Sequence, residues 1–298
     1  QADAIRAAMP DNVRGPRDLA IARRALADAL DLQGSRDDAI SEYRRAVESA
    51  AEAVRIAPQD RICNESLRDA RLASAHALLA RGRNAEAVSE LTAALQVATT
   101  LLQQDPERAT HRLAATRIDC ALALARWAAG APDATDALRA ACDHAASLAK
   151  AAPDDAARAE LHAEALLRAG WALLLDRRDD EARTNFNALL NLTRPRVDSP
   201  GVSRTLRAVH ADALAGLALL DARGRADGAL TSANAAVAAA PAPSPRALWA
   251  LALAQRAAGD RPASESSFDR VLTLLADAPA SSPDARLREG VVRDRTAP

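Results

Sequence analysis

Aromatic side chains are nearly missing from the sequence: three Trp, one Tyr and two Phe among 298 residues. Glycine is scarce too, with eleven. A β-sandwich or barrel draws on Val, Ile, Thr and aromatics, and an α/β enzyme on glycine-rich strand-to-helix turns, so both classes are excluded. The three cysteines, Cys63, Cys120 and Cys142, are an odd set without Cys-x-x-Cys spacing, which leaves neither a zinc site nor a disulfide framework. Cys120 and Cys142 could face each other across a helical hairpin. Packed helices lie about 8–10 Å apart, beyond the roughly 4.4–6.8 Å between Cα atoms that a disulfide tolerates, so they read as small core residues and lean toward a reducing compartment. No apolar run approaches the roughly 18 residues of a membrane span, and no signal peptide is visible. A dominant charge is missing as well: 39 basic against 40 acidic residues leave a net charge of −1, with no field drawing the chain to nucleic acid or an anionic membrane. The chain begins at Gln1 without Met and reads as a processed form or an excised piece.

What is abundant is alanine, roughly a quarter of the residues, together with Leu, Arg and Glu, all strong helix formers. An all-α chain follows. All its basic residues but Lys150 are Arg, either as carboxylate forks or as the codon usage of a GC-rich bacterial genome.

One pattern recurs along the chain: an Ala/Leu-rich stretch, a break, then a second stretch that opens with charge and an alanine. The breaks fall at Gly34, Gly82, Gly130, Arg177, Gly224 and Gly259, spaced 48, 48, 47, 47 and 35 residues apart. Pro58, Pro106, Pro153, Pro241 and Pro279 close the units, since proline cannot continue a helix. Five residues after each break stand Ala39, Ala87, Thr135, Ala182, Ala229 and Ser264, all small; seven before it five of six residues are small, Ala27, Ala75, Ala123, Gly170 and Ala252, with Leu217 the exception. Nine after it come Tyr43, Leu91, Arg139, Phe186, Ala233 and Phe268. Offsets of 5, 9 and 12 lie on one helical face. Small residues therefore mark where two antiparallel helices touch, and the residue at nine fills the groove between neighbouring hairpins. Six hairpins over residues 18–279 are expected, with 1–17 as a linker or partial helix and 280–298 as a cap or flexible tail. Arg139 in the bulky slot and Pro132 just past its break make the third hairpin the one whose register departs most.

Gly34, Ala39, Tyr43 and Ala46, and again Gly82, Ala87, Leu91 and Ala94, carry a resemblance to the tetratricopeptide repeat, whose period of about 34 residues the last interval nearly matches. The resemblance implies a right-handed α-solenoid of about six hairpins. The longer units, with an opening like Arg17-Asp18-Leu19-Ala20 and a closing like Asp105-Pro106, resemble the repeat regions fused to bacterial serine/threonine kinases, although no kinase motif is present.

No catalytic constellation is found. His76, His111, His144, His162 and His210 are scattered, without His-Glu-x-x-His, and Asp37-Asp38, Asp154-Asp155 and Asp179-Asp180 sit at helix starts, where carboxylates cap free N–H groups. There is no phosphate-binding glycine loop and no Gly-x-Ser-x-Gly elbow. No catalytic residue, metal site or cofactor is assigned.

What remains is a surface. The family resemblance implies that the first helix of each hairpin lines a concave groove, and it places Arg24, Asp28, Asp69, His76, Arg117, Leu124, Trp127, Leu167, Trp171, Leu214, Arg246 and Trp249 there. All three tryptophans fall in this set. They either anchor a partner, a ring inside an alanine-tight hairpin being overpacked, or fill wide spaces between lengthened helices. The family's clamp for a C-terminal carboxylate is not matched, since lysine is absent there and Ala73 and Ala121 occupy the slots where the resemblance would place polar clamp residues. The expected function is a non-catalytic module that binds a peptide or protein segment within a larger bacterial signalling protein. The alternative is a sensory domain of a membrane-spanning kinase, acting by ligand binding or self-association. Neither reading involves nucleic acid or insertion of this segment into a membrane, and either leaves it cytoplasmic or periplasmic, with a tether upstream compatible with both.

Overall fold

A computed structural model describes residues 12–199 and 201–297, and among them every regular element is a helix. In chain order these are α1 (Arg14–Leu32), α2 (Arg36–Ile56), α3 (Arg61–Ala80), α4 (Asn84–Gln104), α5 (Ala109–Ala128), α6 (Ala134–Ala151), α7 (Ala156–Leu175), α8 (Asp179–Val197), α9 (Arg204–Arg223), α10 (Ala229–Ala239), α11 (Pro245–Ala257), α12 (Arg261–Leu274) and α13 (Pro283–Thr296). They form two compact units, Gln1–Ala129 with α1–α5 and Gly130–Pro298 with α6–α13. Of the expected N-terminal segment, residues 1–11 lie outside the described residues, and 14–17 already belong to α1.

The turns repeat one geometry. At the first, Gly34 has φ +84° and the Ser35 N–H donates to the Leu30 carbonyl at 2.9 Å. This is the six-to-one bond of a Schellman cap, which uses a left-handed residue to satisfy an orphan carbonyl. The same bond closes the turns at Gly82, Arg177 and Gly259. At the fifth turn Gly224 keeps an ordinary φ of −76° and the left-handed residue is Arg225, with the Ala226 N–H bonded to Asp221. The helix thus runs up to the glycine, which becomes its C-cap, one residue further than at the first turn, and a side chain takes a conformation that glycine adopts freely.

Within unit 1, α1 packs on α2, α2 on α3, α3 on α4 and α4 on α5, and the first helices also touch, α1 on α3 and α3 on α5. Unit 2 repeats this with α7, α9 and α11 as neighbouring first helices, α8 and α12 behind them and α10 in a shorter hairpin with α9. Alanine sets the spacing: Ala27 and Ala39 are both fully buried and share a cluster with Tyr43. In the last hairpin Ser264 replaces that alanine and donates its hydroxyl to the Ala252 carbonyl at 2.8 Å. The longer repeats divide their extra length evenly. α3 and α4 have 20 and 21 residues, α11 and α12 have 13 and 14, so each helix gains about two turns of roughly 3.6 residues.

The three cysteines are buried and form no disulfide. Burial, and then Asp60, push the Cys63 thiol up to about 11, which keeps it protonated.

His111 is the buried polar link of unit 1. Its Nδ1 lies 3.2 Å from the Leu101 carbonyl, which can only accept, and its Nε2 lies 2.9 Å from the Glu65 carboxylate. Burial tends to raise the Glu65 carboxyl, but hydrogen bonds from His111 and Arg61 outweigh it and hold the group below its ordinary value. A carboxyl depressed on folding contributes stability above its unfolded value, roughly pH 4.3, and that contribution is lost as pH falls through the folded value. Denaturation of unit 1 followed from pH 6 down to pH 3 is therefore expected to show a loss of stability that is shallower in His111→Leu. Equal slopes for the two proteins would remove Glu65 as its source.

Candidate interaction surfaces

In unit 1 the first-helix positions form an open, mixed face. On α1, Ile21 is 48% and Leu32 90% exposed, Arg24 is half-buried, and Asp28 is exposed. The Asp28 carboxylate accepts the Tyr43 hydroxyl; burial, then this bond, raise the phenol well above its usual range. On α3, Asp69 is half-buried and accepts Arg68 Nε at 2.8 Å, while His76 is exposed. On α5, Arg117 is exposed, Leu124 half-buried and Trp127 buried.

Unit 2 holds Leu167, Trp171, Leu214, Arg246 and Trp249, and here the tryptophans are core. Trp171 is 3% and Trp249 0% exposed. The Trp171 ring stands edge-on to Phe186 at 5.7 Å between centroids and lies tilted against Trp249 at 6.1 Å. Leu167 is buried beside them in sequence on α7 and Leu214 is half-buried. Arg246 lies over the Trp171 ring at 5.1 Å and pairs with Asp212; Arg223 lies over Trp249 at 5.5 Å. Of the two readings of the tryptophans, the burial of Trp127, Trp171 and Trp249 goes with rings that fill spaces between helices rather than rings that face solvent. Glycine supplies the room that alanine would deny. A Cβ on Gly170 would come within 2.7 Å of the Phe186 ring, and one on Gly216 closer still. Gly170 is one of the small contact residues of the repeat pattern, whereas Gly216 falls outside those positions, its signal in the sequence being a glycine inside an alanine-rich helix.

The C-terminal segment, expected as a cap or flexible tail, contains the fourteen-residue helix α13. Ser282 caps it by accepting the Ala285 N–H, and proline opens its first turn. Rather than only following α12, it also packs on α7 and lies across the C-terminal ends of α7, α9 and α11. Arg293 donates to the Leu175 carbonyl at 3.1 Å, Arg177 and Arg223 bind Asp294, and Arg256 donates to the carbonyls of Asp294 and Arg295. The signal for this docking was in the sequence: Leu287, Gly290, Val291 and Asp294 fall at spacings of three, four and seven on one helical stripe.

The departure at Arg139 also has a structural counterpart. Its side chain is half-exposed and pairs with Asp136 and Glu181, and beside it lies a cavity of about 260 Å³ floored by Leu138, Leu166 and Leu173, with His162 on its wall. Where four of the hairpins insert Tyr43, Leu91, Phe186 or Phe268 into this slot, this one leaves space. Among the described residues no group of three His, Cys, Asp or Glu side chains could hold a metal ion, and no helix is long and apolar enough to cross a membrane.

No family model matches the sequence, and no curated protein matches it. Solved structures do. BtubC (BKLC) from P. vanneervenii is similar at 20% identity over 82% of this chain and 92% of its own, with a TM-score of 0.51. Pseudomonas aeruginosa pilF aligns at 15% identity over 94% and 99%, with a TM-score of 0.46. A tetratricopeptide repeat protein from Parabacteroides merdae aligns at 14% identity over 92% and 99%, with a TM-score of 0.38. At such identities a likeness speaks for fold alone. The repeated turn, the small-residue contact inside each hairpin and the match to the first of these structures make the fold an all-α array of tandem hairpins that resembles the tetratricopeptide repeat.

Proposed function

We propose that the chain is a non-catalytic interaction module that binds a peptide or protein segment along the faces of its first helices. One observation carries the reading: in unit 2, a polypeptide helix, α13, is held by arginines at or just past the C-terminal ends of three successive first helices, Arg177 in the turn after α7, Arg223 on α9 and Arg256 on α11. In unit 1 the corresponding helices present Ile21, Arg24, Asp28, His76 and Arg117 with no second helix across them among the described residues. That face carries both charges and a few apolar groups, which suits a segment with charged residues around one or two apolar anchors.

The test is selection of binding peptides from a random library on the purified chain. Selected peptides are expected to lose about tenfold or more in affinity, equivalent to roughly 1.4 kcal/mol, when Arg24 and Arg117 are both changed to Glu. The same change at Arg44, on a second helix, is expected to leave binding intact. Peptides that respond only to Arg44→Glu would overturn the reading.

The finer setting, a module beside a bacterial serine/threonine kinase, is supported by the long-repeat resemblance. It is tested by the coding sequence upstream of Gln1. A kinase domain with a spanning helix there would support it, and a DNA-binding or chaperone domain would refute it.

A further inference from the structure

We propose that α13 is the built-in occupant of a helix-binding site in unit 2, and that its competing ligand is a partner's amphipathic helix bearing the same stripe. That stripe is an apolar side chain, a glycine and a second apolar residue three and four positions on, and a carboxylate seven positions on. The inference deepens the interaction-module reading and rests on it.

α13 buries Leu287, Gly290, Val291 and Asp294, and Gly290 and Asp294 have identifiable seats. At Gly290 a Cβ would come within 2.8 Å of both Leu175 Cδ2 and Trp249 Cη2, so the backbone of the docked helix rests directly on the tryptophan. Val291 is fully buried beside it. The Asp294 carboxylate, 5% exposed, accepts Arg177 Nη2 at 2.5 Å on one oxygen and Arg223 Nη2 at 3.0 Å on the other. Arg256 reaches the carbonyls of Asp294 and Arg295 at 2.8 and 2.9 Å, closing the helix C-terminus, where a cation is favoured. These arginines come from three different hairpins and converge on one point.

Their charge exceeds what the rest of the site supplies. A cavity of about 550 Å³ at the end of α13 is lined by Arg177, Arg223, Arg225 and Arg256, with Asp179 and Asp294 as its carboxylates. When α13 leaves, the four guanidiniums keep two carboxylates, Asp179 against Arg223 and Glu265 against Arg256. Arg223, which burial first and Arg177 next hold below the usual guanidinium range while Asp294 pulls it back, then loses its nearest anion. Such a site calls for a carboxylate delivered on a helix.

α13 meets the site imperfectly. Gly290 and the β-branched pair Val291-Val292 weaken it as a helix, and the indole N–H of Trp249, the ring on which Gly290 rests, finds no acceptor among the described residues. A helix that fits better, or is present in excess, displaces it.

The probe is a fluorescein-labelled peptide with the sequence of residues 280–298, titrated into the full chain and into full-chain Asp294→Arg, which adds a guanidinium to the cluster and ejects α13. A site open one time in ten to a hundred binds about 10- to 100-fold more weakly than a free one, so the variant is expected to bind the probe by that factor more tightly than the wild type. The probe carrying arginine at its own Asp294 position is expected not to bind. Hydrogen exchange on the wild-type chain gives an independent answer: α13 amides are expected to exchange by local opening, well ahead of those in α9 and α11. Exchange of α13 in step with α9 and α11 would make it part of the folding unit and overturn the proposal. So would a folded Asp294→Arg chain that ignores the probe, or a concentration-dependent dimer that exchanges α13 between copies. Library peptides that still respond to the Arg24 and Arg117 changes would show that this inference had failed while the interaction-module reading stood.

Discussion

Trp171→Ala is expected to destabilise unit 2 by about 3–5 kcal/mol, the cost of removing a large buried ring whose site cannot collapse. Three contacts go with it: the edge-on packing against Phe186, the tilted stack on Trp249 and the Arg246 guanidinium above the ring. Collapse is opposed because the neighbours are tied elsewhere, Arg246 to Asp212 and Phe186 between Gly170 and Gly216. For a unit of this size, about 2–4 °C is lost per kcal/mol, so a fall in the thermal midpoint on the order of 10 °C is expected, with a matching shift in urea. His76→Ala on the exposed face of α3 serves as the contrast and is expected within about 0.5 kcal/mol of wild type. A Trp171→Ala protein with unchanged stability would return the ring to the surface that its repeat position first suggested.

The reason the ring positions misled lies in what an alanine-rich repeat makes visible. Periodic small residues such as Ala27 and Ala39, and breaks such as Gly34, are determined by local geometry: closest approach of two helices and a left-handed turn. Both therefore recur at fixed intervals that can be read along the chain. The fifth turn shows the limit of that reading, since the left-handed residue is Arg225 and its choice over Gly224 depends on where the last helical bond of α9 forms. Whether a residue on a first helix faces solvent is a different matter, because it depends on what lies across that helix. At Trp249 the answer is Gly290, forty-one residues later and in a segment that shares none of the repeat's spacing. At His76 and Arg117 no such helix is found among the described residues, and the exposed positions are those the repeat placed there. Arg139 was legible as an anomaly from its slot alone; that it borders a cavity rather than displacing a helix follows only from the packing of α6 to α8.

The second large effect concerns the glycines that admit Phe186. In a helix interior, Gly→Ala ordinarily stabilises by about 0.5–1 kcal/mol through the unfolded chain and the helix propensity. At Gly216 the sign is expected to reverse. The added methyl would overlap the Cδ2–Cε2–Cζ edge of the Phe186 ring, and the ring cannot retreat toward α7, where Gly170 already leaves the opposite edge without slack. Overpacking of this kind costs about 1–3 kcal/mol, and Gly170→Ala is expected to follow suit. Phe186→Leu should itself destabilise, by leaving a gap beside Trp171. Added to Gly216→Ala, however, it is expected to cost less than the sum, with a coupling of about 0.5–3 kcal/mol, the range for residues in direct contact. Urea denaturation of the wild type, both single variants and the double variant measures that coupling directly. Additive losses would mean that Gly216 and Phe186 do not share a boundary, and the glycine-lined seat of the ring, on which the burial of Trp171 depends, would be lost with it.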